Sequence, residues 1–153
     1  MPLMTTESDG TKSRVLLAAA TAKAERLLTL LDEREYDQVS LVVPESGSPR
    51  ARLARLAAEV ALPEGTPDAI DSDDLIAQLE HVSRSFQKWH VEERFEFEMG
   101  LTGSKMHAVA CAAAASVFPI AQCWYVAPRR FDPSRFTEGV GATAFYELRA
   151  DPN

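Results

Sequence analysis

The sequence is short of every device by which a small chain does without a large core. It has two cysteines, Cys111 and Cys123, in separate apolar stretches with no CxxC pairing, so it carries neither a disulfide framework nor a cysteine metal set. Both read as reduced core residues of a cytoplasmic protein. Glycine and proline, at 7 and 9 of 153 residues, do not exceed ordinary levels, which excludes collagen-like and low-complexity chains. The longest apolar stretch, around Ala108 to Phe118, is too short for a bilayer span, and the amino terminus MPLMTTESDGTK lacks the apolar segment of an export signal. Basic charge is also scarce: 16 Lys and Arg stand against 23 Asp and Glu, for a net charge of -7. General binding to double-stranded nucleic acid through a basic surface is thereby excluded, and an anionic ligand is left only a local pocket.

What is present is an ordinary globular composition, 46% hydrophobic and 25% charged, over a length that suits one domain. Residues 1–12 and 151–153 read as tails around a single domain over 13–150. Within it, strand-length apolar runs alternate with longer helical patterns, the signature of βαβ units about a parallel sheet. A first strand is expected over Arg14 to Ala19. A helix follows from Ala22 to Arg34, with Ala24, Leu27, Leu28 and Leu31 at the spacing of a buried stripe. The run Val39 to Val43, apolar except for Ser40, is expected to be a buried parallel strand. Pro44 to Pro49 then opens a helix to about Val60, with Leu53, Leu56, Ala57 and Val60 on one face.

A very short strand is expected at Ala69 to Asp71. Ser72 or Asp73 then caps a helix through Leu75, Leu79, Val82 and Phe86. In the strand Phe95 to Leu101, Phe95, Phe97 and Met99 alternate with Glu96 and Glu98, so one face meets something polar or lies near an edge. The Ala-rich helix Met106 to Phe118 is stopped by Pro119, and strands are expected at Ala121 to Val126 and Ala142 to Leu148. The fold class is a Rossmann-like three-layer α/β/α sandwich with a mostly parallel central sheet.

In such a sheet, ligands bind outside the carboxyl ends of the strands, where helix N-termini converge. Three loops fall there: Ala20-Thr21-Ala22-Lys23, Pro44 to Pro49 with Glu45, Ser46 and Gly47, and Thr102-Gly103-Ser104-Lys105. The last has the make-up of a phosphate cradle: a glycine that admits close backbone approach, two hydroxyls, a lysine and a helix N-terminus. The same composition serves a plain helix cap. A P-loop is excluded, because GLTGSK is too short between its glycines and Lys105 is followed by Met106 rather than Ser or Thr. The dinucleotide fingerprint GxGxxG is absent as well.

The passage Gly100-Leu101-Thr102-Gly103-Ser104-Lys105-Met106, entering a small-residue helix, resembles the CARF domain (CRISPR-associated Rossmann fold). In that family a strand ends in an N-[IL]-T-G-G-T-K-x-M type motif. Here one glycine-threonine step is shortened to Ser104, Gly100 stands where Asn is common, and Thr102, Gly103 and Lys105 match. The likeness extends from the first strand to Trp124-Tyr125-Val126-Ala127-Pro128.

The resemblance implies a homodimer that binds a cyclic oligoadenylate, with cyclic tetra-adenylate the expected ring, across the dimer axis. It also implies either cleavage of the ring by metal-independent attack of a ribose 2′-hydroxyl, ending type III CRISPR signalling, or sensing without cleavage on behalf of a partner effector protein. No cofactor or metal is called for. Lys105 is the expected charge stabiliser, with Thr21, Thr102 and Ser104 as orienting hydroxyls. Ala22, Lys23, Glu45, Ser46, Gly47, Gly103, Met106 and Arg129 are expected ligand contacts.

Arg129, Arg130 and Arg135, in a Pro-rich loop, suit either a phosphate ligand or surface ion pairs. Arg84 to His90 fits the loose R-x4-6-H pattern of HEPN ribonucleases, but the remaining chain supplies no helical HEPN domain. It reads instead as a polar helix end with Trp89 partly buried. His81 and His107 read as surface helix positions, and the three histidines show no metal-ligand spacing.

Overall fold

The computed structural model describes residues 12–125. Among them run five strands: β1 (Arg14–Ala19), β2 (Gln38–Pro44), β3 (Asp68–Ile70), β4 (Glu96–Gly100) and β5 (Gln122–Trp124). Four α-helices connect them: α1 (Glu25–Glu33), α2 (Pro49–Ala61), α3 (Leu75–Phe86) and α4 (Lys105–Val117). The strands form one sheet in the order β3-β2-β1-β4-β5, with every pair parallel. This is a Rossmann-like α/β domain. The expected strand Ala142 to Leu148 and the loop holding Arg129, Arg130 and Arg135 lie outside the described residues.

β1 is central, and its run RVLLAA feeds both layers of the core. Val15 and Leu17 join Phe97 and Met99 of β4 against Val82 and Phe86 of α3 and Cys111 and Ala114 of α4. Leu16 and Ala18 face the other way, with Leu41 and Val43 of β2, onto Leu27 and Leu30 of α1 and Ala58 of α2. Strands that are buried on both sides need apolar residues at successive positions, which is why β1 reads as an unbroken apolar run from Val15 and β2, from Val39, as one interrupted only at Ser40, whose hydroxyl pairs with that of Ser85 at 3.1 Å. Aromatic rings close the first layer: Phe86 stacks on Phe118 with ring centroids 4.6 Å apart and meets Phe97 edge-on at 5.4 Å.

Local chemistry sets the helix starts. Ser48 caps α2, its hydroxyl accepting from the Ala51 amide at 3.1 Å, and Pro49 takes the first helical position, where no amide partner is needed. α3 is capped by Asp74 rather than by Ser72 or Asp73. α1 begins three residues later than Ala22 because the Thr21 hydroxyl bonds the backbone of Lys23 and holds the chain in a turn. Past Phe86, α3 continues as a π-helical stretch, Gln87–Glu92, and Arg94, in the left-handed region at φ 61°, turns the chain toward β4.

Four expectations are corrected. The face of α2 that packs on the sheet is Ala51, Ala54, Ala57 and Ala58, while Leu53, Leu56 and Val60 point outward. Small residues let α2 lie close to the sheet, and that close approach overrides hydropathy as the guide to its inner face. In α1, Leu27 and Leu30 are buried and Leu28 is exposed. Cys111 is a buried free thiol as expected, but Cys123 is exposed on the short strand β5. His81 and His107 are both buried in the layer of α3 and α4.

The alternating strand β4 has β1 on one side and β5 on the other, so its glutamates do not mark a sheet edge. Glu98 is fully buried. Its carboxylate takes two charge-assisted bonds from Arg34 (2.9 and 2.8 Å), one from the Tyr36 hydroxyl (3.0 Å) and one from the Trp124 indole N–H (2.6 Å). Burial alone pushes the Glu98 carboxyl up, but these donors outweigh it and hold the group below the usual carboxylate value. The Arg34 guanidinium also lies over the Trp124 ring, 5.0 Å from its centroid.

Candidate ligand-binding site

All five strands are parallel, so their carboxyl ends share one edge, and the N-termini of α1, α2, α3 and α4 gather there. The connections from β1 run to β2 and β3 on one side, while β4 and β5 lie on the other. The crevice between the ends of β1 and β4 is therefore the topological switch point at which open α/β sheets take ligands.

The loop from β4 to α4 is seated on the end of β1. Thr102 is buried, and its hydroxyl donates to the Ala19 carbonyl at 2.7 Å while accepting from the Ala19 amide at 3.1 Å. Ala19 continues the parallel register past the last paired residue of β4, and Thr102 supplies with a side chain what the ladder would have supplied with backbone. Gly103 lies so close that a Cβ there would stand 2.6 Å from the Ala19 Cβ and 3.2 Å from Nδ1 of His107. The glycine is thus required by the approach of the loop to the strand. Ser104 caps α4 by accepting from the His107 amide at 3.2 Å. The root of the loop is fixed from β5, since the Leu101 amide donates to the Trp124 carbonyl at 2.8 Å.

The other expected site residues fall at the same edge. Thr21 donates to the Lys23 carbonyl at 3.0 Å and accepts from the Lys23 amide at 3.3 Å. Ala22 is half-buried and Lys23 exposed. No side chain caps α1 at Ala24, so its first amides keep the free donors of a helix start. In the β2 loop, Glu45, Ser46 and Gly47 are exposed, and Arg55 ties the loop down through the carbonyls of Pro44 and Ser46, both at 2.9 Å. Lys105, the first residue of α4, is exposed, and Met106 is half-buried. Arg129 lies outside the described residues.

Charge divides this edge. Lys23 and Lys105 stand on the loops after β1 and β4, whereas Asp71, Asp73 and Asp74 follow β3. On the β1 and β4 side two helix N-termini add partial positive charge, against which Glu25, in the first turn of α1, sets a negative one.

Sequence reasoning missed the polar groups beneath the loop. His107 is buried, Sγ of Cys111 lies 3.8 Å from its Nδ1, and burial, with His81 adding to it, lowers its pKa to about 4. Burial raises the Cys111 thiol to about 12, so both groups are neutral near pH 7. His81 is held by Asp68, Nε2 to Oδ2 at 2.9 Å, and burial lowers its pKa despite that carboxylate. The signal was in the periodicity: His107 shares its stripe with Ala110, Cys111 and Ala114, and His81 shares one with Gln78, Val82 and Ser85.

Arg84 and His90 do not form a paired site in this chain. Arg84 is exposed beside Glu80 (4.0 Å), and a ring N–H of His90 donates to the Phe95 carbonyl at 2.9 Å. Among the described residues, no three His, Cys, Asp or Glu side chains converge to hold a metal ion, and no helix is long and apolar enough to cross a membrane. Two open depressions of about 660 Å³ each lie away from the switch point. One is lined by Arg84, Phe86, Val91 and Phe118, the other by Arg14, Arg34, Tyr36 and Leu62. No family model and no curated protein matches the chain.

Proposed function

We propose that this protein binds a cyclic oligoadenylate, with cyclic tetra-adenylate the expected ring, at the carboxyl edge of its sheet. In this reading two copies form a homodimer whose carboxyl edges face one ring. The observation that supports it is the seating of the Thr102–Lys105 loop on β1 at the switch point. That loop is the part of the chain that resembles the CARF motif, and its seating leaves Lys105 and the N-terminus of α4 exposed. Doubled by a two-fold axis, Lys23, Lys105 and the helix starts make a local positive field in a protein of net charge -7.

Cleavage of the ring needs no metal. A ribose 2′-hydroxyl attacks the adjacent phosphorus, a 2′,3′-cyclic phosphate forms, and the 5′ oxygen leaves with the proton the nucleophile gave up. The protein's part is in-line alignment and stabilisation of the developing charge. Lys105 supplies the charge, and Thr21 and Ser104, both half-buried, are the orienting hydroxyls. Such an enzyme switches off type III CRISPR signalling.

A second reading, sensing without cleavage on behalf of a partner effector, draws on the hydroxyls themselves. Thr102 is committed to Ala19, Thr21 to Lys23, and Ser104 to its cap. One experiment separates the readings: the protein is incubated with labelled cyclic tri-, tetra- and hexa-adenylate in EDTA, and retention and linear products are scored in the same samples. Products from one ring establish a metal-independent ring nuclease. Retention without products establishes a sensor, and no retention of any ring overturns both.

A further inference from the structure

Helix α2 turns its large apolar side chains away from the protein. Leu53, Leu56 and Val60 are 53, 56 and 68% exposed, whereas the inner face is made of alanines. At about 100° per residue these three lie within one narrow stripe along the helix. Three large aliphatic residues in line are the arrangement that marks a contact surface; single exposed leucines scattered over a surface carry no such meaning.

The charges beside the stripe indicate what covers it. Arg52 and Glu59, both exposed, stand on the same flank of the stripe, nearly two turns apart and one toward each end. Arg52 lies within 3.4 Å of the Gly47 carbonyl, a long contact that leaves its guanidinium at the surface. When two identical helices dock antiparallel about a two-fold axis, residues on one flank of the first face the same flank of the second, in reverse order. With the axis at Leu56, that residue meets its own copy, Leu53 meets Val60 of the second copy, and Arg52 meets Glu59 of the second copy. The axis repeats each pair, so one helix face supplies both an apolar seam and two opposite-charge contacts at its rim. Parallel docking would instead send the two copies of this flank to opposite sides of the seam, so that Arg52 and Glu59 would not meet across it.

We propose that α2 is a homodimer interface in which two copies of this chain pair antiparallel through Leu53, Leu56 and Val60, with Arg52 and Glu59 setting the direction. The contact goes beyond the ligand reading: it is not the ring-facing dimer proposed above but a second interface, the two together would build an assembly larger than a dimer, and only the α2 pairing responds to changes at Arg52, Leu56 and Glu59. α2 runs along the strands, so pairing it antiparallel sends the two carboxyl edges to opposite ends and leaves both candidate sites open.

The test is oligomeric state by sedimentation velocity, over a concentration series, on the full chain. The wild type is expected to dimerise. Leu56→Asp places a charge on the axis, and Arg52→Glu or Glu59→Arg sets like charges opposite each other, so each weakens dimerisation at least tenfold. The double swap R52E/E59R restores the opposite-charge pairs and returns the dimer. All three positions are exposed, and unchanged circular dichroism and melting temperature certify the fold of each variant. A wild type that stays monomeric throughout overturns the proposal. So does a dimer that is indifferent to Leu56→Asp and to the charge changes, or a double swap that fails to recover. Ring binding, measured on the same proteins, reports on the ligand reading alone.

Discussion

Thr102 and Ala19, 83 positions apart in the chain, are joined by two hydrogen bonds through one hydroxyl, which donates at 2.7 Å and accepts at 3.1 Å. The pair fastens the loop between β4 and α4 to the end of the central strand.

Thr102→Val keeps the shape and removes the hydroxyl. It strands a buried amide and a buried carbonyl on Ala19, at about 1–3 kcal/mol for each unsatisfied group. Urea denaturation should show a loss of about 2–4 kcal/mol, with Thr102→Ser recovering most of it. A loss below about 1 kcal/mol would mean that water replaces the hydroxyl and that the fastening is dispensable.

Gly103→Ala places a Cβ 2.6 Å from that of Ala19. Overpacking of this kind costs about 1–3 kcal/mol, and the two positions should couple. In the double variant Gly103→Ala with Ala19→Gly the clash is gone, so the double mutant should be more stable than the sum of the singles implies. Strict additivity would show that the loop moves away instead of clashing.

Glu98→Ala leaves the partly exposed Arg34 without its bidentate partner, so the cost should stay below the roughly 3–5 kcal/mol of breaking a fully buried pair. The group also shapes the acid limb. Its folded pKa lies below the ordinary value of 4.5, so its contribution is present above 4.5 and is lost as pH falls through the folded value. Below pH 4.5, stability of the wild type should therefore fall more steeply than that of Glu98→Gln. Parallel acid limbs would remove Glu98 from the account.

His107 acts over a higher range. Its pKa falls from 6.5 to about 4 on folding, so the unfolded chain binds the proton first. Stability is complete above pH 6.5 and declines as pH drops toward 4, by on the order of 3 kcal/mol in all. His81, lowered in the same direction, adds to the decline. Denaturation at pH 7, 6 and 5 should show the loss, and His107→Leu should flatten it. A stability independent of pH over that range would place a solvated histidine at 107.

Lys105→Ala removes an exposed charge and should leave the melting temperature unchanged. Ring affinity should fall by about 1.5–3 kcal/mol, roughly ten- to 150-fold in Kd. Calorimetric titration of both proteins checks this, and an unchanged Kd would move the site away from the switch point.

Among the described residues, sequence alone determined the order and kind of the strands and α-helices. β1 over Arg14–Ala19 and the apolar run of β2 were legible because a strand covered on both faces admits little else. The loop Thr102–Lys105 was legible because glycine, hydroxyls and a helix start leave a local mark in composition.

Tertiary structure alone decided what those residues touch. Glu98 read only as the polar half of an alternating strand, since its partners Arg34, Tyr36 and Trp124 are 64, 62 and 26 positions away. The outward turn of Leu53, Leu56 and Val60 depended on how closely α2 lies against the sheet, which no property of α2 taken alone specifies. Periodicity says that a helix has two faces. Which face is buried is settled by the shape of the surface it meets, and that surface is assembled from segments far apart in the chain.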